Sequence, residues 1–328
     1  MNFIGYLKKN GLKRTFSVVY QYKIDIILRN CLFFFTKKKP LKNIIIIESH
    51  NDFDCNGGAF YDYLIKNKYN QKYMIIWLLK NKLNKKIKMP YNVKCFYLHK
   101  PSIIKDYYIN MAKIITADND ITTKLRDDQK VFFFRHGPGG LKNTKGLSEI
   151  PNTVDYILGM SEAYSDIERN QFSTDKNDKR FIYLGFPSHD VLLSDNHNEI
   201  KKITERKFKK IILWMPTFRK GGGYNRNDSS CEQPLGIPLI NDIKEYEKLN
   251  ELLYKNNFLL IIKIHPMQDI NDLKIYDKSN IKVLTGEIVK QIRVDIYRLM
   301  SCCDAMVSDY SGAAYEFMQL DRPLAYVL

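Results

Sequence analysis

No uninterrupted apolar run in this 328-residue chain reaches the roughly 20 residues that a bilayer-spanning helix needs. A small-residue cleavage site behind a clean apolar stretch is also missing near the N-terminus, so a secretory leader is not expected. Cysteine is scarce and unpatterned. Cys31, Cys55, Cys95, Cys231, Cys302 and Cys303 form no CxxC pair and no disulfide framework, and the adjacent Cys302 and Cys303 are poorly placed to bridge each other. That usage belongs to a reducing cytosol. No internal repeat is evident, and no Asp-rich metal motif occurs, so neither a metal nor any other cofactor is expected.

Acidic residues are the under-represented charge, 36 against 52 Lys and Arg, which leaves a net charge of +16. Such an excess favours an anionic partner, whether nucleic acid, anionic lipid or a polyanionic substrate. Scattered lysines on a solvated surface give the same balance. Zinc-finger spacing, an RNP-type aromatic motif and an obvious helix-turn-helix are all absent, which argues against nucleic acid. What is abundant is core-forming material. The chain is 45% hydrophobic and 13% aromatic, with 22 Tyr and 18 Phe, which excludes a disordered chain. Its length suits two domains.

Residues 1–42 mix apolar side chains with Lys8, Lys9, Lys13, Arg14, Lys23, Asp25 and Arg29. Two readings stand: an amphipathic helix lying in a membrane interface, with Lys37, Lys38 and Lys39 following the Leu32–Phe35 cluster, or a helix packed on its own domain. Beyond it, short β-branched runs alternate with polar-faced helical segments. Strands are expected at Ile44–Ile47, Met74–Leu79, Val93–Leu98, Lys113–Ala117, Val131–Arg135, Val154–Met160 and Phe181–Leu184. Helices are expected at Gly57–Lys66, Ile103–Ala112 and Glu162–Asn170. Asp190–Lys210 reads as a linker and helix. The pattern restarts with strands at Ile211–Met215, Phe258–Ile264, Ile281–Thr285, Ala305–Ser308 and Pro323–Val327, and helices at Ile243–Asn256, Ile292–Ser301 and Ala313–Leu320. Such alternation means βαβ units and parallel sheets. The expected architecture is α/β: a Rossmann-like domain over 43–190 and a second over 191–328, facing a cleft. Gly221–Pro238 reads as a mobile loop. The chain stops at Leu328, just inside an apparent strand, which raises truncation of the last domain.

Ligands in such sheets lie beyond the carboxyl ends of the strands, and four segments put polar residues there. Arg135-His136-Gly137-Pro138-Gly139-Gly140-Leu141-Lys142 delivers a histidine to a glycine-rich turn. His136 suits a general base near neutral pH, and small residues let backbone N–H groups approach an anion; an ordinary turn with a structural histidine has the same sequence. Pro216-Thr217-Phe218-Arg219-Lys220 presents a hydroxyl and two cations, and Arg219 can hold a phosphate in bidentate fashion or simply be solvated. Lys263-Ile264-His265-Pro266 ends a strand at a second histidine, its backbone pinned by the proline. Ser308-Asp309-Tyr310-Ser311-Gly312 runs into a helix whose N-terminus favours phosphate, or which Ser311 merely caps.

Together the four segments resemble a known family. His136-Gly137-Pro138-Gly139-Gly140-Leu141-Lys142 is similar to the His-Gly-Thr-Pro-Leu-Lys motif of the CDP-glycerol glycerophosphotransferases of teichoic acid and capsule polymer synthesis. Met215–Arg219 resembles their Ala-Pro-Thr-Trp-Arg, Lys263–Pro266 their strand-end x-His-Pro, and Ser308–Gly312 their Thr-Asp-Tyr-Ser-Ser. Weaker similarity runs from about residue 43 to the end, through Glu48-Ser49 and Gly185-Phe186-Pro187-Ser188. Three departures bear on the transferred group: Pro138-Gly139-Gly140 in place of Thr-Pro, Gly312 for the second Ser, and Ser188 where Arg is common.

The resemblance implies a GT-B-type fold and a CDP-linked donor such as CDP-glycerol. It implies pyrophosphate contacts from His265, Arg219, Thr217, Ser308, Ser311 and Lys263, with His136 as the base. Glu48, Gly137, Gly139, Gly140 and Lys142 would line the acceptor side. The acceptor would be a lipid-linked or polymeric anion at the inner leaflet of a bacterial cell membrane, with the enzyme held peripherally on its cytoplasmic side and no nucleic acid involved. A GT-B-type sugar transferase or epimerase using a nucleotide-diphosphate sugar is one alternative. An inactive anion- or membrane-binding homologue is the other.

Overall fold

The computed structural model describes residues 11, 12, 16, 24–81, 83, 88–136, 150–194, 196, 198–217, 233–266, 268–309 and 311–327. They fall into two compact units that meet in sequence between Pro187 and Ser188. In the first, seven strands form one sheet: β1 (Lys42–Ile47), β2 (Met74–Leu79), β3 (Val93–Tyr97), β4 (Ala112–Ala117), β5 (Lys130–Phe133), β6 (Tyr156–Leu158) and β7 (Phe181–Ile182), in the order β3-β2-β1-β4-β5-β6-β7. In the second, β8 (Lys210–Met215), β9 (Phe258–Lys263), β10 (Ile281–Leu284), β11 (Ala305–Ser308) and β12 (Leu324–Tyr326) are ordered β10-β9-β8-β11-β12. Every strand pairing among the described residues is parallel.

The isoleucine run in β1 shows why such strands read as continuous apolar stretches. Ile44 and Ile46 join the core on one face, with Ile76, Leu78, Ile115 and Val131. Ile45 and Ile47 join the core on the other, with Trp77, Leu79 and Leu64 of the helix Cys55–Lys66. A strand covered on both sides has no polar face to show. In each unit the strand order reverses beside the first strand, between β1 and β4 and between β8 and β11. These are the switch points where ligands of doubly wound sheets collect.

Several expected boundaries shift, each for a local reason. Val131–Arg135 shortens to β5, because Arg135 takes a left-handed backbone with φ 65°. Val154–Met160 shortens to β6, and Phe181–Leu184 to the two residues of β7. The helix expected over Ile292–Ser301 starts at Ile296 and runs to Cys302, and a further, unexpected helix, Gly286–Ile292, precedes it. Arg293 (φ 55°) ends Gly286–Ile292, and the Asp295 carboxylate caps Ile296–Cys302 by accepting the Arg298 N–H at 3.0 Å. Among its described residues, Asp190–Lys210 holds the end of the short helix Pro187–Leu192, a 3-10 turn, Glu199–Lys202, and the first residue of β8. Much of the Gly221–Pro238 loop lies outside the described residues.

In the N-terminal segment, the described helix Asp25–Thr36 is tied to its own unit. Asp25 pairs with the buried Lys105 at 2.7 Å, and Arg29 donates to the Asn110 side chain at 3.2 Å and to the Thr123 carbonyl. Its other side leaves Ile26, Ile27, Phe34 and Phe35 exposed. No helix among the described residues is long and apolar enough to cross a membrane.

Candidate active site

At the switch point of the first unit, a network of buried charge joins three strand ends. Glu48, just past β1, is 1% exposed. Its Oε2 accepts the N–H groups of Asp118 and Asn119, just past β4, both at 3.0 Å. Its Oε1 lies 2.6 Å from Nζ of Lys80, just past β2. Lys80 also reaches Asp120 at 2.9 Å and donates to the His50 carbonyl at 3.2 Å. Burial opposes charge on Lys80, but Glu48 and Asp120 prevail and raise its pKa. These bonds make Glu48 a tie between the ends of β1, β2 and β4.

Asp118 is fully buried. Its Oδ2 accepts the Gly57 N–H at 2.9 Å, and the carboxylate also takes the backbone N–H of His50. Burial pushes its pKa well above the carboxylate range, against the pull of those two bonds. Gly57 is required here, since a Cβ would sit 2.9 Å from the Ser49 Cβ and 3.0 Å from the Glu48 carbonyl oxygen.

His136 stands beside this network. By surface it is an exposed residue, and the protein around it still desolvates its ring. An imidazole N–H donates to the backbone carbonyl of Asp118. The ring stacks on His50, with centroids 4.6 Å apart and planes 16° from parallel. Desolvation lowers its pKa below the ordinary 6.5, and the charges of Arg135 and Lys80 push the same way. An imidazole that is neutral near pH 7 and held through one N–H has the state a general base needs.

The backbone that aims His136 is clamped. Asn56 Nδ2, fully buried, donates to the Arg135 carbonyl at 2.7 Å. The Arg135 guanidinium pairs with Glu168, the two being 4% and 1% exposed, and lies over the Phe172 ring at 4.8 Å. Glu168 Oε1 also accepts the Met160 N–H at 2.9 Å.

The second unit repeats the device in simpler form. Asp309, just past β11 and 2% exposed, accepts the Thr217 N–H at 3.0 Å and the Thr217 hydroxyl at 2.6 Å. Ser308 is fully buried and donates to the Met215 carbonyl at 3.1 Å. The hydroxyls of Thr217 and Ser308 thus hold the ends of β8 and β11 together. Ser311 caps the helix Gly312–Phe317, accepting the Ala313 N–H at 3.4 Å. Half-buried Lys263 ends β9, and half-buried His265 follows it, its carbonyl accepting the Gln268 N–H at 3.0 Å. All five sit at the carboxyl end of their sheet. Arg219, Gly137, Gly139, Gly140 and Lys142 lie outside the described residues. Among the described residues, no three His, Cys, Asp or Glu side chains gather as metal ligands.

His50, Asn56, Lys80, Asp118 and Glu168 are the residues that motif reading passed over. Lys80 and Asp118 are each the first polar residue after an apolar strand, so the strand-end rule alone reaches them. His50 and Glu168 carry no comparable signal.

Two doubly wound α/β units, one with an oriented imidazole at its strand ends, fit a group-transfer enzyme of the nucleotide-donor kind. The family model of the CDP-Glycerol:Poly(glycerophosphate) glycerophosphotransferases matches residues 31–327, and the chain belongs to that family. It is therefore a transferase of glycerol phosphate from CDP-glycerol. It is 26% identical to the teichoic acid poly(glycerol phosphate) polymerase of Bacillus spizizenii, over 96% of this chain and 78% of that protein. It is 25% identical to the teichoic acid glycerol-phosphate primase of Bacillus subtilis, over 93% of this chain and 80% of that one. Among solved structures, a variant of the wall teichoic acid polymerase TagF matches with TM-score 0.67 and 18% identity, covering 93% of this chain and 78% of TagF. That match carries the GT-B-type α/β fold.

Proposed function

We propose that the chain adds glycerol phosphate, or a closely related polyol phosphate, to a lipid-linked or polymeric teichoic-acid-like acceptor at the inner face of a bacterial cell membrane, with His136 as general base. The acceptor hydroxyl gives its proton to the other ring nitrogen of His136. The hydroxyl oxygen forms a bond to the glycerol-bearing phosphorus, the pyrophosphate P–O bond breaks, and CMP leaves with the electron pair. Charge builds on that leaving phosphate, where cations and N–H donors act most strongly. Lys263, His265, Thr217, Ser308 and Ser311, with Arg219 as the motif resemblance implies, supply the cations and donors in this proposal. The observation that carries this reading is the His136 ring bonded to the Asp118 carbonyl at the switch point of a family member. A donor panel tests it. CMP release from CDP-glycerol, dependent on acceptor, is expected, with no UDP release from nucleotide sugars; the reverse pattern refutes the proposed donor.

The same proposal has the helix Asp25–Thr36 hold the enzyme to the membrane peripherally. Ile27 and Phe34 lie two turns apart on one stripe, flanked by Ile26 and Phe35, all more than half exposed, and Lys37–Lys39 follow. Apolar insertion and attraction to anionic headgroups reinforce each other in such a helix. Phe34→Ser with Phe35→Ser should weaken binding to anionic vesicles by about 10-fold or more in flotation assays, since each buried Phe contributes about 1.5–3 kcal/mol. Unchanged flotation would leave this helix without a membrane role.

A further inference from the structure

The reaction as described leaves a second imidazole without a task. His50 lies just beyond Glu48, at the same switch point. Its main chain is gripped from both sides: Lys80 Nζ donates to its carbonyl at 3.2 Å, and its N–H donates to the Asp118 carboxylate. Asp118 therefore serves both histidines, holding the backbone of His50 with its side chain and the ring of His136 with its own carbonyl. Asp118 is itself immobilised by Gly57 N–H and, through its backbone, by Glu48. This framework brings the two rings face to face, 4.6 Å apart and 16° from parallel.

A ring held through one nitrogen can still pivot about that bond. Rotation would swing the opposite nitrogen away from the acceptor hydroxyl, and a flat, rigidly mounted partner on its face prevents it. We propose that His50 is a positioning residue for His136, its ring fixing the plane of the base so that the opposite nitrogen keeps its aim. The inference rests on the reading of His136 as base. It makes a distinctive demand, that the flatness of His50 matters and its nitrogens do not.

The experiment compares acceptor-dependent CMP release from CDP-glycerol by the full chain carrying His50→Ala, His50→Phe or His136→Ala. Misplacing a catalytic group by a fraction of its reach costs about 10- to 100-fold, so His50→Ala should lower kcat by that factor while KM for CDP-glycerol stays within about twofold. His50→Phe keeps a flat ring without nitrogens and should return kcat to within about threefold of wild type. If His50→Phe is as slow as His50→Ala while both keep the wild-type melting temperature, His50 acts through its nitrogens and the proposal fails. Wild-type kcat in His50→Ala also overturns it. Should His50→Ala not fold, the His50→Phe result decides alone. A separate outcome is wild-type turnover in His136→Ala, which removes His136 as base, whatever the His50 variants do.

Discussion

Alanine in place of His136 is expected to lower acceptor-dependent CMP release by about 10²- to 10⁴-fold, the range lost when a positioned general base is removed. The loss should fall on kcat, because the imidazole meets the acceptor hydroxyl and not the nucleotide. Wild type should also carry the signature of this base in its pH profile. His136 works only when neutral, so the rate falls as pH drops through its pKa. Burial by the surrounding strand ends, with the charges of Arg135 and Lys80, lowers that pKa from the ordinary 6.5. The acid limb of kcat/KM therefore lies below pH 6.5, and the limb should vanish in whatever residual activity the alanine variant keeps. An acid limb above 6.5, or one that survives the substitution, assigns the proton to another group.

Removal of the Glu168 carboxylate should be the most damaging single change to stability among the residues that surround the site. Arg135 and Glu168 are 4% and 1% exposed, so Glu168→Ala leaves a guanidinium buried without its counter-charge. Breaking such a pair from one side costs about 3–5 kcal/mol, most of it the penalty of the stranded charge. The Met160 N–H loses its acceptor as well. Glu168→Gln keeps the shape and one acceptor oxygen and should cost less. Urea denaturation of the three proteins measures the differences. Because the pair holds the residue preceding His136 at φ 65°, residual folded Glu168→Ala should also turn over more slowly. A loss below about 1 kcal/mol, typical of an exposed pair, would mean that the guanidinium finds solvent.

The sheets were legible because they are apolar on both faces. Met74–Leu79, Ala305–Ser308 and the helix Ile243–Asn256 were readable to the residue, and β1, β4 and β8 nearly so. A buried parallel strand leaves a run such as Ile44–Ile47 that no amphipathic helix resembles. Boundaries failed where a side chain or a left-handed residue overrode the local pattern, as Arg293 and Asp295 do in separating Gly286–Ile292 from Ile296–Cys302. The site divides along similar lines. Strand-end position identifies His136, Lys263 and His265 as candidates, and it identifies Glu48, Thr217 and Ser308 too. It does not show which of these side chains also tie two strand ends together. That distinction is made by partners distant in sequence: Glu48 with Asp118 and Lys80, Thr217 with Asp309, Ser308 with Met215. The His50–His136 stack is likewise a product of strand order, since β1 and β5 flank β4 in the sheet and are far apart in the chain.

The most direct test follows glycerol itself. Full-length protein would be given CDP-glycerol labelled in the glycerol carbons, with and without a membrane fraction as acceptor, and both CMP and the labelled polymer or lipid would be measured. The account requires one CMP for each labelled glycerol phosphate incorporated, only when acceptor is present, and both products lowered by about 10²- to 10⁴-fold in the His136→Ala protein. CMP formed without incorporation, or label transferred equally well by His136→Ala, would contradict it.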